Sequence, residues 1–194
     1  MTPPLCASCG REVGAGNRCQ DCAREQPRID GIRACSRFEG AVRTAVHRLK
    51  YNGQRALAEP LAELLERTAR ELPSADAIVP LPLHPARERE RGYNQSGLLA
   101  VALAGRLELP VLPAAVRTRK TNDQVGLTRR ERQENVRGAF ACPDPALVAG
   151  RRLLLVDDVC TTGSTLVACA APLLRANAAS VRGLVVARQD YERT

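Results

Sequence analysis

One stretch constrains this chain more than any other: Leu153-Leu154-Leu155-Val156-Asp157-Asp158-Val159-Cys160-Thr161-Thr162-Gly163-Ser164-Thr165-Leu166. Leu153 to Val156 is a short continuous apolar run, the pattern of a parallel strand covered on both faces. Two carboxylates close it. A small hydroxyl-rich segment, Thr161 through Thr165, then feeds a helix. Backbone N–H groups at a helix start lack intrahelical partners and favour an anion such as a phosphate. Asp157 and Asp158 repel that anion. They suit a neighbouring group instead, either sugar hydroxyls or a hydrated magnesium ion. Carboxylates beside a phosphate cradle point to a ligand with sugar and phosphate side by side. The alternative is a strand end with two solvated aspartates and an ordinary helix cap at Ser164. A P-loop is excluded, because no Gly-Lys-Ser/Thr follows the glycine.

Around this stretch, strand and helix patterns alternate. Strands are expected at Ile32–Phe38, Ala77–Val79, Val111–Val116 and Val181–Ala187. Helices are expected at Gly40–Lys50, Leu57–Leu72 with Pro60 in the first turn, Asn94 or Ser96 to Leu107, and from the signature loop to Ala176. Pro172 interrupts the last pattern and is a candidate kink. Arg119 to Gly138 is charged and shows little periodicity. The alternation predicts an α/β fold with a doubly wound, mostly parallel sheet. Ligands of such sheets lie at the carboxyl ends of the strands, which is where Asp157, Asp158 and the segment Pro80 to His84 fall.

The chain opens on a second motif. Cys6-x2-Cys9 and Cys19-x2-Cys22 place two pairs of thiols on a short hairpin rich in glycine. Four thiolates complete a tetrahedral zinc site and leave no position for water, so the site reads as structural. A segment this short with few large apolar groups needs such a staple to fold. The organisation expected is a zinc-binding segment over residues 1–27 and an α/β domain over residues 28–194. Cys35, Cys142, Cys160 and Cys169 lack the pairing and read as small core residues, with Cys160 a remote candidate nucleophile.

Composition narrows the partners. Twenty-nine basic against 21 acidic residues leave a net charge of +8, which favours phosphate-bearing ligands but does not separate a nucleotide from DNA. Aromatic residues make up only 3% of the chain, which weakens a purely single-strand-binding reading, since that relies on stacking. No apolar run reaches the roughly 20 residues needed to cross a bilayer, and no secretory signal is visible at Met1 to Gly10. The expected compartment is the cytoplasm, with cysteines reduced or metal-bound.

Two more segments carry charge suited to a ligand. Val79 to Pro85 holds three prolines that stiffen a strand exit, followed by Arg87, Arg89, Arg91, Gly92, Tyr93, Asn94 and Gln95. It reads either as an anion-binding loop or as a solvated, salt-bridged helix turn. His84 is open between a ligand contact and a local cap. Arg117 to Arg137 carries seven basic residues, Lys120 and Arg132 among them, against three acids. It reads as a lid over a phosphorylated ligand, a solvated loop, or a contact surface for nucleic-acid phosphates.

The Asp157-Asp158 stretch resembles the 5-phosphoribosyl 1-pyrophosphate (PRPP) motif of type I phosphoribosyltransferases. Further segments agree in order: the paired cysteines, Leu49-Lys50-Tyr51-Asn52-Gly53, Pro80-Leu81-Pro82, Arg91-Gly92-Tyr93-Asn94-Gln95-Ser96, Gln124-Val125-Gly126-Leu127, and Asn135-Val136-Arg137-Gly138-Ala139-Phe140. Together they resemble the competence-protein ComF family, a phosphoribosyltransferase-like domain behind a zinc-binding segment, linked to DNA uptake in bacterial transformation. The resemblance implies that Thr161, Thr162, Gly163, Ser164 and Thr165 cradle a 5-phosphate and that Asp157 and Asp158 hold the ribose. It implies that Leu81, Pro82, Leu83, His84, Arg87 and Arg91 receive pyrophosphate with magnesium. Lys120 and Arg132 would close over the ligand. Dimers are common among type I phosphoribosyltransferases. Three functions remain open: a magnesium-dependent PRPP-binding enzyme, a DNA-handling adaptor that contacts single-stranded DNA, and a scaffold that docks uptake proteins.

Overall fold

The computed structural model describes residues 4–121 and 128–189. Four parallel strands form the main sheet in the order β1 (Ile32–Arg37), β6 (Ser180–Arg188), β5 (Arg152–Cys160), β2 (Ala77–Pro80). Parallel strands need crossovers, and helices supply them on both faces. Side chains alternate across the sheet, so Leu154 and Val156 face one layer while Leu153 and Leu155 face the other. The first layer is α2 (Gly40–Tyr51), α3 (Ala58–Arg70) and α5 (Gln95–Leu107), which bury Val46, Leu49, Leu61, Leu65, Leu99 and Leu103. The second is α7 (Ser164–Arg175), which buries Leu166, Cys169 and Leu173 beside Phe140 and Val136. The doubly wound α/β expectation holds.

The element boundaries differ from expectation in four informative places. β5 runs through Cys160, so Asp157 and Asp158 lie inside the strand, with Asp157 opposite Val185 and Val159 opposite Ala187. The expected strand at Val111–Val116 does not form as one piece. Pro110 and Pro113 lack N–H donors, so Val111 makes only an isolated bridge to Ile78, and Val116–Arg117 (β3) pairs instead with Phe140–Ala141 (β4). Within the aperiodic charged stretch lies α6 (Arg129–Val136), started by a capping box in which Thr128 and Glu131 satisfy each other's backbone donors. Pro85–Arg91 forms a short α4, and Gly92 ends it at φ 80° in the left-handed conformation.

The cysteine segment, with a short α1 (Gln20–Arg24), sits on the sheet edge. Ile32 N donates to the Ser8 carbonyl at 3.0 Å, continuing the edge of β1 into the hairpin. Gly10 is required there: its φ is +72°, and a Cβ would fall 2.4 Å from the Ile32 carbonyl oxygen. No helix among the described residues is long and apolar enough to cross a membrane.

Candidate functional site

A cleft of about 800 Å³ opens at the carboxyl ends of β2 and β5. Its floor is the acidic pair. Asp158 is almost fully buried, and Lys50, the penultimate residue of α2, places Nζ 2.7 Å from Asp158 Oδ2. The approach is an ion pair rather than an aligned hydrogen bond. Asp158 Oδ1 accepts from Val159 N at 2.7 Å, and Asp157 Oδ1 accepts from Ser96 Oγ at 2.7 Å. Ser96 can reach because Asn94 takes the capping role of α5: Asn94 Oδ1 accepts from Ser96 N at 3.0 Å, while its Nδ2 donates to the Leu81 carbonyl at 3.0 Å. One side chain thus joins the start of α5 to the exit of β2.

Charge is unbalanced in this floor. Two carboxylates share one ammonium. Burial and the adjacent Asp158 charge push the Asp157 carboxyl up to about 7, against the pull of Lys50 and the Ser96 hydrogen bond. Burial pulls Lys50 down, but Asp158 and Asp157 outweigh it and hold its ammonium above the ordinary lysine value. The site therefore has room for one more unit of positive charge, which a divalent cation arriving with a ligand would supply. In that sense the residues present fit magnesium.

Above the floor, residues 161–165 form the expected loop. Gly163 takes φ 83° at the head of α7 and has no side chain to cap it; Ser164 N donates instead to Thr162 Oγ1 at 3.3 Å, and the helix dipole still favours an anion at this end. Thr162 Oγ1 and Ser164 Oγ lie 2.7 Å apart. The loop and Asp157 line a small hollow of about 30 Å³. Arg132, in α6, is buried and donates to Thr161 Oγ1 at 2.7 Å. Burial lowers its guanidinium pKa.

The structure brings Leu81, Leu83, Arg87, Arg91, Arg132, Asp157, Asp158, Thr161 and Thr165 to one cleft. Thr162, Gly163 and Ser164 line the small hollow beside it. Pro82, His84 and Lys120 do not line the cleft. His84 caps α4, accepting from Ala86 N at 3.2 Å, and Lys120 is exposed. The Gln124-Val125-Gly126-Leu127 segment lies outside the described residues. Arg91 lies over the Tyr51 ring at 5.3 Å and donates to Gln95 Oε1. The contributions of Lys50 and Ser96 were not visible as local motifs. Cys160 is buried, and burial raises its thiol pKa, which removes it as a nucleophile.

The four cysteines converge as expected. Their sulfur atoms all lie within 4.8 Å of one another, and Cys9 Sγ and Cys19 Sγ are 3.7 Å apart. Tetrahedral zinc with Zn–S bonds near 2.3 Å demands sulfur separations of about 3.8 Å, so this group fits a four-coordinate ion. The protonation pattern agrees. Burial opposes ionisation of Cys6, but backbone donors around it win and bring it down to about 6. Burial and the neighbouring thiolates raise Cys9 and Cys22. The Cys6 thiolate forms readily, whereas Cys9 and Cys22 need a cation. A second groove, of about 640 Å³, runs between this knuckle and α6, with Arg28, Arg130 and Arg137 on its walls.

The phosphoribosyl transferase domain family matches residues 94–193. Competence protein F of Haemophilus influenzae is 34% identical over 172 residues, 84% of this chain and 75% of its own length. DNA utilization protein YhgH of Escherichia coli K12 is 35% identical over 188 residues, 92% of this chain and 81% of its own. Competence protein ComFC of Bacillus subtilis is 26% identical over 197 residues, 97% of this chain and 79% of its own. Among solved structures, glutamine phosphoribosylpyrophosphate amidotransferase from B. subtilis is similar at a TM-score of 0.45 and 20% identity, over 66% of this chain and 26% of that one.

Proposed function

Because the chain belongs to the ComF family of competence proteins and carries a phosphoribosyl transferase domain, we propose that it binds PRPP with magnesium and serves DNA uptake. The observation that carries this reading is the charge-crowded Asp157-Asp158 pair set directly against the left-handed turn at Gly163. The 5-phosphate accepts from the loop amides and hydroxyls of residues 161–165. Asp157 and Asp158 accept from the ribose hydroxyls and favour positive charge growing at the anomeric carbon. Arg87, Arg91 and the backbone at Leu81 and Leu83 hold the pyrophosphate. Magnesium, when bound, neutralises the pyrophosphate oxygens and eases their departure. In a transfer, an acceptor forms a bond to the anomeric carbon as the carbon–pyrophosphate oxygen bond breaks. Lys50, ion-paired to Asp158 at 2.7 Å, holds that carboxylate in place.

Calorimetric titration of the metal-loaded protein with PRPP tests this. Saturable binding is expected with magnesium, weakened at least tenfold without it and lost in Asp158→Asn. Unchanged binding in that variant rejects the assignment. Release of pyrophosphate during a screen of bases and amines would establish turnover.

The arginine-walled groove beside the knuckle favours a second role, contact with single-stranded DNA, in keeping with relatives named for competence and DNA utilization. Affinity for an oligonucleotide should then fall steeply with salt, because phosphate contacts release counterions. A flat response excludes it.

A further inference from the structure

Arg188, the last residue of β6, is 6% exposed. Its Nη1 donates to the Thr161 carbonyl at 2.8 Å, and its Nη2 donates to the Cys9 carbonyl. Its Nε has no hydrogen-bond partner, and among the described residues no carboxylate pairs with it. A buried guanidinium held by two carbonyls alone is poorly compensated. Its surroundings suggest the missing charge: a divalent ion held by four thiolates leaves a net charge of −2 on the cluster. Cys9 supplies both one sulfur of that cluster and the carbonyl that Arg188 grips. Arg33 makes a similar approach, donating to the Cys6 and Ala7 carbonyls at 3.3 and 3.2 Å.

We infer that Arg188 is a positioning residue that couples the filled cysteine knuckle to the anion-binding loop. A trans peptide sets its carbonyl and the following N–H on opposite sides. By fixing the Thr161 carbonyl, Arg188 therefore turns the Thr162 N–H away from the knuckle. Ile32 makes a parallel link by packing. Its N–H donates to the Ser8 carbonyl, and its Cδ1 lies where a Cβ on Gly163 would come within 2.8 Å. Loss of the metal loosens Cys9, leaves Arg188 short of a partner and frees the peptide that shapes the phosphate subsite. Metal loading and ligand affinity are then linked, each favouring the other. The ligand half of this inference rests on the PRPP reading; the loop half does not.

The test is hydrogen exchange on the full metal-loaded chain, followed by peptides that span residues 161–165. Arg188→Lys keeps the charge but loses the two-pronged grip. Exchange in the loop should rise about tenfold in this variant, with metal per chain and exchange in α3 unchanged. A chelator should raise loop exchange in the wild type by a similar factor, and should add less than twofold in Arg188→Lys. Loop exchange that is unaltered by the substitution, or by chelation of the wild type, overturns the coupling. So does an effect of chelation that adds fully to that of the substitution. Where PRPP binds, its affinity should fall about tenfold in Arg188→Lys. Failure of PRPP to bind the wild type counts against the ligand assignment alone, because the exchange result decides the coupling by itself.

Discussion

The crowded carboxylate pair should cost stability, and removing one charge should return it. Asp157 is driven from an ordinary value of 3.8 up to about 7 by burial and by Asp158. Its folded value lies above its unfolded one, so between about pH 4 and 7 the folded chain holds a proton that the unfolded chain has released. Stability from this group is present below about pH 4 and is lost as pH rises through 7. A gap of about three units is worth at most ~4 kcal/mol. Relaxation at the cleft mouth lowers that, so ~1–3 kcal/mol is expected. Asp157→Asn stays neutral at every pH, and its amide oxygen still accepts from Ser96 Oγ. The ligand-free variant should therefore melt higher than wild type at about pH 8, by ~2–10 °C for a chain of this length. The advantage should shrink towards zero near pH 4, while ligand binding is weakened. Thermal unfolding followed by circular dichroism at several pH values measures this. A difference independent of pH, or a variant less stable than wild type at about pH 8, would refute the charge-crowding argument.

Gly163→Ala forces a Cβ into a backbone at φ +83° and within 2.8 Å of Ile32 Cδ1. A loss of ~1–3 kcal/mol is expected by chemical denaturation, with weaker binding of phosphorylated ligands. Cys19→Ser removes one of four converging sulfurs. Zinc per chain should fall from near one to well below it, with a lower melting temperature that added zinc does not restore. A fully loaded, equally stable variant would show that the cluster is not a four-thiolate site.

What the sequence made legible was local. The run Leu153 to Val156 announced a buried strand because both faces of the sheet are covered by helices, so every position in it is apolar. The paired cysteines announced their own convergence, since each Cys-x-x-Cys turn fixes two sulfurs by backbone geometry alone. Continuation of β5 through the two aspartates was not legible. Carboxylates argue against a buried strand until Lys50 and Ser96, remote in sequence, are known to meet them. The broken strand near Val111 could have been foreseen from Pro110 and Pro113, and α6 from Thr128 and Glu131 at capping-box spacing. Periodicity outweighed both signals wrongly. Ser96 shows the limit most clearly. At the start of a helix a serine reads as a cap, but Asn94 takes that role, and the hydroxyl left over becomes the donor to Asp157. Arg188 is similar: nothing at the end of a strand marks a guanidinium that will join a cysteine knuckle to the loop at Thr161. Candidate ligand-binding residues could be named from sequence because the chemistry proposed for them needs particular types at fixed spacing. Residues that hold those in place were missed because their partners come from other elements, and only the packed sheet decides which hydroxyl or guanidinium is left free to serve.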